Sequence, residues 1–462
     1  MNEYEKLVEN VKGHALTLTL LGGFLKRAFH GDIRQRDRVK FEKADEKMDG
    51  GHAFRTMAAY EQWLLRDGGD EGRREVAVLR LMGLFDRPAD AGCLAALRRE
   101  PIPGLTEPLA GLADDDWAFW LSGLEAAKLL TVNRDATGAL VSLDAHPHLR
   151  EYFAKQLQVS GKALAAGSSS DVNPTTPAAS ALPLTAESAW RAAHRRLYEH
   201  LCATTKEGDQ PTLEDLQPLY QAVAHGCQAG LQQEACDKVY YARIMRGNEY
   251  YSVRKLSAFG SELGAVACFF ETPWSRMSPR LKEANQSVLM NSAAAWLRAL
   301  GRMTEALEPM RAATELAVKH KDWENAATGN SNLSELELTL GAVAGAVGDA
   351  EQSVTYADRS GDAFQRESRR TTHADALHQA GRRPEAETRF REAAQMQAER
   401  QPDHPLLYSL PGFKYCNLLL AAPERAAWQT VLASGGCQPS ESSHSGVSRR
   451  DEPVGELGGL TP

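Results

Sequence analysis

Apolar residues recur at helical spacing along most of the chain. From Ala15 to Phe29, the residues Leu16, Leu20, Leu21, Phe24, Leu25 and Phe29 share one face. Lys26 and Arg27 sit near the end of that segment, where cations suit the helix dipole. The first thirty or so residues thus predict two helices, and Phe54 to Leu65, with Met57, Tyr60 and Leu64, predicts another. Helices are predicted next over Glu75–Leu84, Ala89–Arg98 and Asp114 to about Lys128, the last opened by three aspartates that suit a helix N-terminus. Two short strands, Leu129–Val132 and Ala139–Leu143, flank the turn Asn133–Gly138. A closing helix starts at Pro147, which fits a first turn.

Three helices, a β-wing and a closing helix describe a winged helix. The chain is therefore read as mainly α. A helical domain over 1–70 and a winged helix over 74–158 are followed by a flexible linker over 159–188, rich in Ala, Ser, Thr and Pro. Helical patterning resumes at Ala189 and fills 189–430. A Gly/Ser/Pro-rich tail, 431–462, is expected to be disordered.

The helical half repeats itself. Leu300-Gly301-Arg302-Met303-Thr304-Glu305-Ala306 is matched by Ala380-Gly381-Arg382-Arg383-Pro384-Glu385-Ala386, with Leu340-Gly341-Ala342 midway, so the period is 40 residues. Ala421 lies one step further and predicts a degenerate fourth turn. Glycine allows positive φ between two helices. Five residues on, Ala306, Ala346 and Ala386 permit close approach, and nine on, Met310, Ala350 and Phe390 take a core position. These spacings resemble the second half of the tetratricopeptide (TPR) consensus, with a step longer than its usual 34 or so residues. The resemblance implies an α-solenoid of lengthened helices. An earlier helix-pair turn is expected over Gln228–Ala235, and 250–280 reads as helical without a clear phase.

Composition narrows the picture. The 462 residues carry 53 Lys+Arg and 61 Asp+Glu, a formal net charge of −8, which offers no basic field for nucleic acid or an anionic membrane. The seven cysteines are scattered, without a Cys-x-x-Cys, as expected of a reducing, cytoplasmic setting. The apolar run Ala15–Leu25 is too short to span a bilayer.

Candidate chemistry is sparse. No Gly-x-x-x-x-Gly-Lys-[Ser/Thr] occurs, and Gly341, Gly345 and Gly348 belong to the repeat with no lysine following. His146 and His148 do not share a helix face, so they do not read as a metal pair. No nucleophile elbow, zinc-protease motif or Cys/His pair appears, and the chain is read as having no catalytic constellation. The third winged-helix helix carries Asp114, Asp115, Asp116 and Glu125 without an arginine. Base reading and phosphate neutralisation are therefore not expected of it. Trp117, Phe119 and Trp120 are expected to pack against neighbouring domains.

Two short motifs carry a family resemblance. Gly13-His14-Ala15-Leu16 resembles the Gly-x-Pro-Leu-Ala motif of STAND-class signalling ATPases, the group that includes NB-ARC proteins. Asp144-Ala145-His146-Pro147-His148-Leu149-Arg150 resembles the end of their winged helix, the Met-His-Asp motif. The order of helical domain, winged helix and TPR sensor matches as well. The resemblance implies that His146 contacts the β-phosphate of ADP when a nucleotide-binding core is supplied. Ala15 replaces the family's proline and Pro147 its aspartate. The P-loop core itself would lie upstream of Met1, through truncation, a split system or a misplaced start. The chain alone is thus expected to hold no cofactor, with ADP or ATP implied only for the complete architecture.

The expected function is a regulatory sensor, its solenoid binding a protein or peptide and its winged helix coupling to an ATPase core. A standalone TPR scaffold and a DNA-binding regulator are the alternatives. In TPR arrays the first helix of each pair lines the concave face. Counting back from the turn glycines makes Ser287, Ala327 and Glu367 the repeat starts. Groove positions then fall at Asn291, Ala295 and Arg298; Ser331, Glu335 and Leu338; Thr371, Asp375 and His378. Asn291, Arg298, Ser331, Glu335, Asp375 and His378 are the protein-binding candidates.

Overall fold

The structure, a computed structural model, describes residues 3–40, 51–165 and 188–433. Most of the expected linker (166–187) and the tail from 434 onward lie outside the described residues. Chain packing divides the protein into two compact units, Met1–Leu316 and Ala317–Pro462.

The first unit opens with α1 (Glu3–Asn10), α2 (Ala15–Phe29), α3 (Gly51–Asp67) and α4 (Gly69–Met82). The apolar face of α2 is buried through Leu20, Leu21, Phe24 and Leu25, with Met57, Tyr60 and Leu64 of α3 in the same core. Helices α3 and α4 cross at backbone contact. A Cβ on Gly72 would lie 2.0 Å from the Leu64 carbonyl oxygen, so only glycine fits there. Arg27 of α2 makes a bidentate pair with the buried Glu75 of α4, at 2.8 and 2.7 Å, and donates to Tyr60.

The winged-helix topology follows. It comprises α4, β1 (Ala89–Asp90), α5 (Ala91–Arg98), α6 (Asp114–Ala126), β2 (Thr131–Arg134), β3 (Leu140–Asp144) and α7 (Pro147–Ala165). The sheet has order β1-β3-β2, all antiparallel, with Ala89 opposite Leu143 and Val132 opposite Leu143 on the other side. Residues 89–90, expected to start a helix, instead form the third strand. Two residues are too few to show alternation, and Asp90 then caps α5 by accepting from the amides of Gly92 and Cys93. Helix α7 runs to Ala165, into the stretch expected to be linker. The buried Glu61 of α3 ties three helices together. It accepts from Tyr152 and Gln156 of α7 at 2.7 Å each and from Arg80 of α4 at 3.1 Å.

On α6, Trp117 and Trp120 are buried beneath the guanidinium groups of Arg98 and Arg74. Phe119 was expected to pack with them and is instead 70% exposed. At 100° per residue it lies on the opposite face from Trp117, Leu121 and Leu124.

Next come α8 (Ala189–Thr204) and α9 (Leu213–Gln228), the latter opened by a Thr212–Asp215 capping box. The turn expected over 228–235 is present, with Gly230 at φ 84°. It leads through α10 (Gln232–Glu234) into a π-helical stretch, Ala235–Ile244. The 250–280 segment is not wholly helical. It contains α11 (Tyr251–Arg254), α12 (Phe259–Ala267) and a hairpin of β4 (Phe270–Thr272) with β5 (Arg276–Met277). Glu262 of α12 is buried and accepts hydroxyl donors from Tyr220 and Tyr240 at 2.7 and 2.8 Å.

The repeat is regular. First helices α13 (Glu283–Ala299), α15 (Trp323–Thr339) and α17 (Ala363–Gln379) have 17 residues each and begin at 40-residue intervals. Second helices are α14 (Met303–Lys319), α16 (Val343–Ser360) and α18 (Arg383–Arg400). At the turns, Gly301, Gly341 and Gly381 take φ of 76°, 79° and 77°. Each turn closes with the same pair of bonds, such as Arg302 N–H to Leu297 O and Gly301 N–H to Arg298 O, a Schellman motif. Ala306, Ala346, Ala386, Ala350 and Phe390 are fully buried, as the spacing predicts. The long period is taken up by lengthened helices.

In the second unit α15 packs on α16, α16 on α17, and α17 on α18 and α19 (Ser409–Ala433). Its small core joins Val347, Leu377, Phe390 and Leu418. The fourth turn expected at Ala421 is absent, because α19 passes straight through that position. Alanine lacks glycine's access to positive φ, so the helical conformation wins. Among the described residues, no helix is long and apolar enough to cross a membrane.

Candidate functional site

Two places carry the candidate residues. The first lies in the first unit, where Lys12 and Gly13 turn the chain at positive φ into α2. His14 caps that helix, its Nδ1 accepting from the Thr17 amide at 3.2 Å. Before α7, His146 does the same, its Nδ1 accepting from the His148 amide at 3.2 Å. A ring nitrogen that accepts cannot also carry the proton, so each neutral imidazole holds it on Nε2, where it can be donated.

The two motif segments meet in space. The His148 ring lies 5.3 Å from that of His146 and 6.4 Å from that of His14, with Phe54 edge-on at 6.0 Å. His146 is exposed. Partial burial first, then the positive potential of His148, His14 and Arg150, hold its pKa below the ordinary histidine value. Neutral imidazoles bearing Nε2–H fit an edge contact to an anionic oxygen. They do not wrap a nucleotide by themselves, and among the described residues no His/Cys/Asp/Glu group is arranged to hold a metal ion.

The second place is the first-helix face of the repeats. In the first unit, Asn291 and Ala295 are exposed on α13 and Arg298 is half-buried beside them. In the second unit, Glu335 of α15 and Asp375 of α17 are half-buried and converge on one cation. Lys414 Nζ of α19 lies 2.9 Å from Glu335 Oε1 and 3.7 Å from Asp375 Oδ2. His378 is half-buried on the same helix as Asp375, its Nδ1 without a hydrogen-bond partner among the described residues.

Ser331 and Thr371 do not belong to an open groove. Both are buried. Ser331 Oγ contacts Thr372 Oγ1 at 3.1 Å and accepts from Arg369 at 3.2 Å, whereas Thr371 donates to the Ser368 carbonyl. Ser331 thus joins α15 to α17, and position five is not presented outward in either helix.

Sequence reasoning missed three contributors. Arg369 donates to Thr328, Ser331 and Gln365, all neutral acceptors, and burial lowers its pKa against a raising effect from Glu335. Thr372 completes that set. Lys414 had a legible signal, for it falls one period after Ala374 and two after Ser334, both buried. A lysine at that phase must extend its chain to reach carboxylates on the preceding first helices.

The exposed face of α6 presents Asp115, Asp116 and Phe119 and no cation. That surface repels a phosphate backbone.

No family model and no curated protein matches the chain. Among solved structures it is similar to a Signal Transduction ATPase with Numerous Domains (STAND) protein with a tetratricopeptide repeat sensor from Pyrococcus horikoshii. Identity is 13%, over 86% of this chain and 57% of that one, with a TM-score of 0.27. The chain therefore spans just over half of that protein's length, and the fold assignment rests on the helix pairs themselves.

Proposed function

We propose that the chain is a non-catalytic recognition and coupling module that binds a protein or peptide through the first-helix face of its repeats. The observation that carries this reading is the convergence of Glu335 and Asp375, at the same position of successive repeats, on the amine of Lys414. Such a carboxylate pair recognises a cationic side chain by charge-assisted hydrogen bonds, and a basic residue of a partner would have to displace Lys414 from it. The first unit would report to a nucleotide-binding partner through the histidine edge, where His146 and His14 can each donate one Nε2–H to a phosphate oxygen. The motif resemblance supports that second role. Duplex DNA is not proposed as a partner.

A displayed random-peptide library panned on the purified chain tests the first role. Enrichment of basic peptides that is lost with Glu335→Gln plus Asp375→Asn is the expected result. No enrichment, or enrichment indifferent to both substitutions, would overturn it.

A further inference from the structure

Helix α19 spans the end of a first helix, the turn position and the start of a second helix, without making the turn. Residues 409–421 align, one period on, with the first helix α17, and residues 423–433 align with the start of α18. Pro423 stands where Met303, Val343 and Arg383 begin the second helices, a position that suits proline. Ala421 stands where the three turns have glycine, and the two segments are fused into one continuous helix.

The fusion leaves a face uncovered. One period before Leu410 lies Arg370 and one before Phe413 lies His373; both are buried, and Arg370 approaches Glu392 of α18 at 3.6 Å. Asn330 and Leu333, one period earlier still, are buried too. In α19 the same positions are open, with Leu410 53% exposed and Phe413 67%. Beyond Ala421 every described residue is exposed, Trp428 at 67%. A rod cannot fold its second half onto its own first half.

We propose that α19 pairs antiparallel with α19 of a second copy of this chain. The second-helix sequence of each copy covers the first-helix face of the other, about a two-fold axis near Ala421. This is the repeat's own helix pair, made between chains because the hinge is a helix. The occupant is a second copy because this sequence already supplies both complementary halves. Past Lys414 the described helix carries only one acid and one base, Glu424 and Arg425, adjacent to each other, so self-pairing brings no block of like charge together. Leu410, Phe413, Leu420, Trp428, Val431 and Leu432 expose on the order of 700 Å² of apolar surface. That exceeds the largest patch on an ordinary monomer and approaches what each partner buries in a standard interface.

Light scattering coupled to size exclusion, on the full chain in reducing buffer, tests this. Wild type is expected to be a dimer. Phe413→Glu and Leu420→Glu, both at exposed positions, are expected to be monomers with unchanged circular dichroism. Ala421→Gly, which restores the turn residue, is expected to shift the population toward monomer. A wild-type monomer at every soluble concentration would overturn the proposal, whether α19 is then shielded by the chain's own tail or by nothing. So would a dimer that survives both glutamate variants.

Discussion

The Nδ1 atoms of His194 and His225 lie 2.8 Å apart in the core between α8 and α9. One ring must donate and the other accept, so the pair holds together only while at least one imidazole is neutral. Burial pushes both pKa values down, that of His225 to about 4, with Asp86 opposing and Arg87 reinforcing the shift at His225. A depressed histidine pKa means that the unfolded chain binds the proton more tightly. The contribution to stability is therefore full above the unfolded value near 6.5 and is lost as pH falls toward 4. Thermal unfolding followed from pH 7.5 to 5 should show a loss of about 2 kcal/mol attributable to His225. The slope should flatten in His225→Gln; parallel profiles would locate the dependence elsewhere.

Glu262 is the opposite case. Burial raises its pKa, against the hydroxyl donors Tyr220 and Tyr240. An acid held this way contributes most below its unfolded value, and the contribution is lost as pH rises through the raised folded one. Glu262→Gln should therefore be at least as stable as wild type at pH 7.5. Glu262→Leu leaves two buried hydroxyls without an acceptor and should cost about 2–4 kcal/mol in urea unfolding. Equal midpoints for the two variants would show that the hydroxyls find other partners.

Ala346 is fully buried where α16 meets α15. Ala346→Leu should overpack that contact and lower stability by about 1–3 kcal/mol, seen as an earlier urea midpoint. An unchanged midpoint would mean that the close approach lies at another position.

The histidine edge supplies at most a few donors to an anion. The chain alone is therefore expected neither to bind ADP at micromolar concentration nor to release phosphate from ATP. Isothermal calorimetry and a phosphate-release assay check this, and micromolar ADP binding that survives His146→Ala would place the nucleotide elsewhere in the chain.

The repeat was legible because each of its signals is local and recurs. Glycine at the turn, alanine five residues on and a large or small core residue at nine need no knowledge of the partner helix. What stayed hidden was short or depended on contacts distant in sequence. β1 is two residues long and exists only because β3 pairs with it. The hairpin over 270–277 sits in a segment with no clean period, and the π-helical stretch 235–244 keeps helical spacing while changing its bonding. At Ala421 two local signals disagreed, proline favouring a new helix and alanine denying the turn. Counting places Glu335 and Asp375 at equivalent half-buried positions, but the same count cannot tell that Ser331 is buried against the next first helix.

Seventeen residues at 1.5 Å each make α15 and α17 about 25 Å tall, nearly five turns. Height sets what such a wall can measure. An extended segment lying along these helices would cross from rim to rim in about seven or eight residues, at 3.3 Å each. Glu335 and Asp375, both thirteenth in their helices, stand some three-quarters of the way up. A cation anchored there leaves room for about five residues of a bound segment toward the lower rim and about two toward the upper. On the proposed reading, such a wall would distinguish the direction of a bound peptide as well as its charge.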